Sequence, residues 1–158
     1  MDVQKSRDEL PLLAILKKSK KIPMVGDIFV MKRKDINKYL YGLVVEDKCA
    51  GPMAPEELLI VYIYKYQTDT ITPIPVLNKS DILILPEIVG YHGWNAGYFL
   101  TVGTIPKDKI DKIARHSFFD PISKNDKGEG NYLDEFGNVI GFGNERTSKI
   151  CYEQPLYG

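Results

Sequence analysis

Two stretches of alternating side chains, separated by a polar loop at residues 33–38, predict an antiparallel hairpin. Before the loop, Ile28 and Val30 share one face of the predicted strand and Phe29 lies on the other. Gly42 interrupts the return strand, and a glycine inside a strand indicates a bulge or the close approach of a neighbouring backbone. The hairpin is therefore expected to begin a curved antiparallel sheet.

The most apolar stretch of the chain, residues 58–66, predicts a central strand that is covered on both faces. It is rich in β-branched and aromatic residues, the types that strands favour. We expect Ile60, Ile63 and at least one of Tyr62 and Tyr64 to be deeply buried.

Three shorter patterns add to the sheet. Residues 82–85 form a second apolar stretch that ends at Pro86, residues 98–104 predict a strand, and residues 131–133 predict a short one. The polar residues 120–130 indicate an exposed loop. With the hairpin and the central strand, these patterns predict roughly six to eight strands.

The N-terminal region carries a helix signal. With Asp8 as the cap, Pro11 falls in the first turn, where its missing amide costs nothing, so we expect a helix over residues 9–18. The leucines at positions 12, 13 and 16 would face the sheet. The predicted fold is α+β and β-rich, a curved, mainly antiparallel sheet or partly open barrel with a short N-terminal helix.

Chain length and charge refine this prediction. A chain of 158 residues suits one domain, which we divide into a basic helical arm (1–22), a β-rich core (23–140) and a tail (141–158). The formal net charge of zero gives no overall attraction to nucleic acid or to an anionic membrane. Residues 1–40, however, hold ten basic and five acidic side chains, and residues 41–158 hold eleven and sixteen. The arm is basic and the body is acidic.

No catalytic or metal-binding motif stands out. His92, His116, Cys49 and Cys151 are too far apart in sequence to form a close-paired metal site, so we expect no metal, no cofactor and no disulfide. Neither a phosphate-binding loop nor a nucleophile-elbow motif is present. The first residues are charged and the apolar stretch that follows is short, so we expect no secretory signal and a cytoplasmic location.

A series of motifs, in this order along residues 17–138, resembles the immunity protein 26 family of bacterial polymorphic toxin and contact-dependent inhibition systems. The motifs are Gly26-Asp27-Ile28-Phe29, Gly42-Leu43-Val44, Leu59-Ile60-Val61-Tyr62-Ile63-Tyr64, Trp94 before Phe99-Leu100-Thr101-Val102-Gly103, Phe118-Phe119-Asp120, and Asp134-Glu135-Phe136-Gly137-Asn138. The resemblance implies an antitoxin that has no catalytic activity and that binds and blocks a cognate toxin domain.

The resemblance also directs attention to the acidic body, because a nuclease toxin would carry a basic groove for phosphate. The candidate partner-binding residues are Glu46, Asp47, Glu56, Glu57, Asp134 and Glu135, with Trp94 as an aromatic anchor. Each acidic residue is equally consistent with an ordinary solvated charge, and Trp94 with a core aromatic. We expect no membrane or nucleic-acid partner.

Two other functions remain open from the sequence. Tyrosine-lined strands and a basic arm are compatible with a nucleic-acid-binding β-barrel module, although the net charge of zero weighs against it. A small hydrolase would use His92 or His116, although no nucleophile motif accompanies either.

Overall fold

The computed structural model describes residues 12–49 and 58–145, with Lys48 and Cys49 described by their backbone alone. Its strands are β1 (Asp27–Arg33), β2 (Lys38–Cys49), β3 (Leu58–Thr68), β4 (Glu87–Val89), β5 (Leu100–Thr104), β6 (Phe118–Phe119), β7 (Glu129–Leu133) and β8 (Val139–Asn144). One short helix, α1 (His92–Asn95), and 3₁₀ turns at Lys79–Asp81, Lys107–Lys109 and Pro121–Ser123 complete the described elements. The strands form a five-stranded sheet, in the order β4-β3-β2-β1-β5, and a three-stranded sheet, β6-β7-β8.

The predicted hairpin is β1–β2, and Gly42 explains its shape. Phe29 lies directly opposite Gly42 on the neighbouring strand. A Cβ atom at Gly42 would lie 2.2 Å from Cζ of Phe29, so only glycine leaves room for the ring. The pairing of β2 with β3 also shifts register between Leu40 and Gly42. The register shift next to Gly42 agrees with the expected irregularity, whereas the group that approaches Gly42 closely is a side-chain ring and not a backbone.

Alternation along β1, β2 and β3 gives the five-stranded sheet two apolar faces. The face that we call the tyrosine face carries buried Ile28, Val30, Tyr41, Leu43, Val45, Ile60, Tyr62 and Tyr64, and Leu77, Ile82 and Ile113 cover it. The opposite face, the tryptophan face, carries Phe29, Met31, Leu40, Val44, Leu59, Val61 and Ile63 under Trp94. Ile60, Ile63, Tyr62 and Tyr64 are all buried, as predicted. The strand β3 is flanked by β2 and β4, although β2 occupies the centre of the sheet.

The N-terminal helix prediction is wrong over residues 12–18, and residues 9–11 lie outside the described part of the chain. The segment is extended: Leu13 bridges to Arg33, and the Ala14 amide donates to the Lys32 carbonyl at 2.9 Å. It continues the sheet along β1 beyond the end of β5, where β1 would otherwise leave backbone groups unpaired. A helix this short is marginal by itself, so these sheet hydrogen bonds outweigh the local capping signal.

Other predicted segments differ in detail. From the apolar stretch at residues 82–85, Ile82 forms an isolated bridge with Tyr64, and Leu83 and Ile84 are exposed. The expected loop over residues 120–130 contains a 3₁₀ turn and the start of β7. No closed barrel is formed by the residues that the structure describes.

The smaller sheet packs beside the tyrosine face. Phe118 of β6 contacts that core, and it pairs with Leu133 of β7. On the other side of the small sheet the rings of Phe119 and Tyr132 meet edge to face, with centroids 5.4 Å apart. Within the described ranges, no helix has the length and apolar character needed to cross a membrane.

Candidate functional site

A buried pair, Tyr62 and His116, joins the five-stranded sheet to the segment that leads into β6. The chain segment at residues 110–117, which we call the crossing segment, runs over the tyrosine face and brings Nε2 of His116 within 2.5 Å of the Tyr62 hydroxyl. The Ile113 amide donates to the same hydroxyl at 3.0 Å. Burial raises the pKa of Tyr62, so its hydroxyl keeps its proton. The hydrogen bonds therefore connect Ile113, Tyr62 and His116.

His116 is a neutral residue at physiological pH. Burial, with a smaller contribution from the charge of Lys112, lowers the pKa of His116 to about 4. Its Nδ1 faces Oε2 of Glu135 at 3.9 Å, which is too long for a hydrogen bond. Since the ring is uncharged, this contact is not an ion pair at neutral pH.

The order hydroxyl, imidazole, carboxylate in Tyr62, His116 and Glu135 has the form of a hydrolase triad. The hydroxyl that would act as nucleophile is fully buried, and its raised pKa disfavours the reactive anion. A substrate cannot reach it. The trio instead connects β3, the crossing segment and the β7–β8 hairpin.

Two of the sequence-predicted acidic residues meet at the crossing segment from different sheets. Glu46 of β2 forms an ion pair with Lys112, and Glu135 of the β7–β8 hairpin faces His116. Both carboxylates are only partly exposed, with 19% and 21% of the side chain accessible. The structure therefore brings Glu46 and Glu135 to one region, although they are far apart in sequence.

Asp134 organises the turn between β7 and β8. Its Oδ1 accepts from the amides of Phe136 and Asn138 at 2.9 Å each, and its Oδ2 accepts from the Asn138 side chain. Burial alone would raise the pKa of Asp134, but these hydrogen bonds outweigh it and lower the pKa. Asp134 therefore stays charged and keeps the turn in place.

The remaining acidic candidates are less informative. Asp47 lies on β2 and is half-buried. Glu56 and Glu57 lie outside the described residues.

Trp94 is a core residue of the tryptophan face, with 2% of its surface exposed. Its ring meets those of Phe29 and Phe99 edge to face at 5.0 and 5.1 Å, and its Nε1 donates to Oγ1 of Thr101 at 3.1 Å. One edge of Trp94 lines a cavity of about 190 Å³ that Lys21 also borders. The ring therefore offers a partner little surface except from within this cavity.

The two histidines lie on opposite faces of the large sheet. His92 is exposed on α1, which covers the tryptophan face, whereas His116 contacts the tyrosine face.

Among the described side chains, no group of three His, Cys, Asp or Glu residues could hold a metal ion. The side chain of Cys49 and the whole of Cys151 lie outside that part of the chain. The absence of metal and of a disulfide therefore stays a prediction.

Sequence reasoning missed an apolar surface on the small sheet. Ile122, Phe136, Val139 and Phe142 are 66%, 64%, 59% and 47% exposed. Residues 118–145 also hold six acidic side chains against two lysines, a net charge of −4. A signal was present for Phe136, because the turn residues around it place it at the tip of a hairpin. Phe142, between Gly141 and Gly143, gave no such signal.

The protein belongs to the class of β-rich domains built from two antiparallel sheets. Its small sheet presents acidic and apolar side chains to solvent. The family model for immunity protein 26 matches residues 24–128, about two thirds of the chain, and the chain belongs to that family. The resemblance noted in the sequence is thereby confirmed. No curated protein and no solved structure matches the chain.

The matched range has a clear relation to the fold. It includes β1, β2, β3, β4, α1, β5, β6 and the crossing segment. It ends at residue 128, one residue before β7, so the hairpin β7–β8 and the Asp134–Asn138 motif lie beyond it.

Proposed function

We propose that this protein is the cytoplasmic immunity protein of a bacterial polymorphic toxin system of the contact-dependent inhibition type. It binds the toxic C-terminal domain of a secreted protein encoded beside it and neutralises that domain. Membership of the immunity protein 26 family carries this proposal. The exposed acidic and apolar side chains of the small sheet support it, because they suit a protein partner.

The proposed mechanism is occlusion of a nuclease toxin. Nucleases bind phosphate through basic grooves, and an acidic protein surface can occupy such a groove in place of nucleic acid. The net charge of −4 in residues 118–145 favours this partner. The candidate contact residues remain Glu46, Asp47, Glu56, Glu57, Trp94, Asp134 and Glu135.

The test uses the toxin domain with its catalytic residue replaced. Titration calorimetry should give a one-to-one complex, and expression of the immunity protein should protect cells that produce the active domain. A lack of binding at micromolar concentrations would contradict the proposal.

The alternative functions are tested by the same protein. The order of Tyr62, His116 and Glu135 resembles a hydrolase triad, but the complete burial of Tyr62 weighs against the hydrolase alternative. If the protein acts by binding, His92→Ala and a folded His116→Ala variant retain protection, and loss of protection in the latter would indicate catalysis. Salt-dependent binding to random RNA would instead favour the nucleic-acid-binding module.

A further inference from the structure

We propose that the toxin docks on the edge of the small sheet, at a surface formed by Phe136, Val139 and Phe142, which we call the β8 surface. This inference rests on the proposed function and assigns its contact face. All three are exposed large apolar residues, with 64%, 59% and 47% of their surface accessible. Isolated apolar residues are common on surfaces, but three along one hairpin mark an interaction site.

The hairpin holds these side chains in a fixed arrangement. Val139 lies opposite Leu133 and Phe142 lies opposite Asn131, two residues apart on β7, so a register shift places both on one face about 7 Å apart. Phe136 lies at the tip, where its backbone amide donates a hydrogen bond to the Asp134 carboxylate. At the far end of the hairpin, the Tyr132 hydroxyl donates to the Asn144 carbonyl. Because the backbone that carries these side chains is already ordered, binding loses little backbone conformational entropy.

β8 is also the edge strand of its sheet. It pairs with β7 on one side, and within residues 12–49 and 58–145 no strand pairs with its other side. Partner proteins often bind at an open sheet edge that carries exposed apolar side chains. Proteins usually cover or charge such an edge when it has no partner, because it otherwise promotes aggregation.

Charge identifies the kind of partner. Asp126, Glu129 and Glu145 lie at one end of the β7–β8 hairpin beside Lys124 and Lys127, and Asp134 and Glu135 lie at the other end with no basic residue near them in sequence. The apolar residues therefore have acidic groups on both sides, the arrangement of an apolar centre with a polar rim. The complementary surface is a basic protein face with an apolar centre. A nuclease domain with a phosphate-binding groove provides the basic part of it.

The test compares serine variants of equally exposed apolar residues. Phe136→Ser and Phe142→Ser change the β8 surface, and Val76→Ser and Leu83→Ser change residues outside the small sheet that are 76% and 48% exposed. The probe is the catalytically inactive C-terminal domain of the neighbouring secreted protein. Each β8 variant should weaken binding by about tenfold or more, as loss of a central aromatic does, and each control should stay within about twofold.

Hydrogen exchange gives a second measurement that needs no substitution. The outward-facing amides of residues 139–144 should exchange fast in the free protein and slow down when the inactive toxin domain is added. Thermal unfolding of each variant confirms that the fold is retained.

The outcomes separate the two proposals. If the wild-type protein does not bind the toxin domain, the proposed function fails. If it binds and the β8 variants bind equally well, the contact face assigned here is wrong and the function stands. Protection of the β8 amides before toxin is added would mean that another part of a protein already covers the β8 surface. If the free protein is a dimer that Phe142→Ser dissociates, the covering group is a second copy of this chain. Exposure of β8 after deletion of residues 146–158 would identify the chain itself. Either result overturns the inference.

Discussion

Tyr62 and Tyr64 lie two residues apart on the same face of β3, and both are fully buried, yet their hydroxyls differ. The Tyr62 hydroxyl bonds to Ile113 and His116, whereas the Tyr64 hydroxyl has no hydrogen-bond partner among the described residues. Burial raises the pKa of both, so each remains protonated. The pair therefore allows a hydrogen-bonded and an unbonded hydroxyl to be compared in one environment.

The first prediction follows from this pair. Tyr62→Phe leaves the Ile113 amide and Nε2 of His116 without their partner in a buried site, and each lost partner should lower the free energy of unfolding by about 1–3 kcal/mol. Tyr64→Phe removes an unbonded hydroxyl and should change stability by less than about 1 kcal/mol, or increase it. Urea unfolding of both variants measures the difference. Equal losses would contradict it.

The second prediction concerns His116 and pH. Its folded-state pKa, about 4, is below the unfolded value of 6.5, so the unfolded chain takes up the proton first as the pH falls. The contribution of neutral His116 to the free energy of unfolding is therefore fully present above about pH 6.5. It is lost as the pH falls toward 4, and the total loss is about 3 kcal/mol.

The control is His116→Gln, which keeps an acceptor for Tyr62 and does not titrate. Carboxylates such as Glu87, whose pKa is raised by burial, titrate in both proteins and cancel in the comparison. Denaturant unfolding from pH 7 to pH 4 should show the smaller loss in the variant. The same loss in both proteins would mean that His116 is not neutral and buried in solution.

At the scale of elements, the sequence predicted β1, β2 and β3 well because their alternation is local and strong. It failed at residues 12–18, where the deciding hydrogen bonds reach Lys32 and Gly97, positions that no local pattern connects. It also could not pair Tyr62 with His116, or bring Glu46 and Glu135 to the crossing segment, because those contacts depend on how the two sheets meet.

The third prediction tests the hairpin through its glycine. Gly42→Ala forces a methyl group into the space of the Phe29 ring, and such overpacking should cost about 1–3 kcal/mol. Gly90→Ala is the matched control, because a Cβ at Gly90 would meet no atom within 4 Å. Thermal unfolding should show a lower Tm for the first variant and little change for the second. A Gly42→Ala variant as stable as the control would show that Phe29 can move aside.

At the scale of the whole molecule, a net charge of zero conceals two oppositely charged regions. Residues 12–49 hold nine basic and four acidic side chains. Residues 118–145 hold two basic and six acidic side chains. A basic toxin would be attracted by the small sheet and repelled by the N-terminal segment, so the field orients the approaching partner as well as attracting it.

The last prediction is kinetic and follows from this separation of charge. Electrostatic steering acts during approach, so screening slows association and leaves dissociation, which depends on close contacts, nearly unchanged. Between about 0.01 M and 1 M salt, where the screening length falls from about 30 to about 3 Å, the association rate should drop by about tenfold or more.

Charge reversal locates the surface that attracts the toxin. The double variant Asp126→Lys with Glu145→Lys changes two exposed positions beside the strands of the small sheet. It should slow association at low salt and weaken the salt dependence of the association rate. Lys18→Glu with Lys20→Glu, an exposed pair on the basic segment, should speed it up or leave it unchanged. Stopped-flow mixing with the inactive toxin domain measures these rates. If the lysine pair, and not the acidic pair, slowed association, the toxin would approach the basic segment and the assignment of the acidic sheet would be wrong.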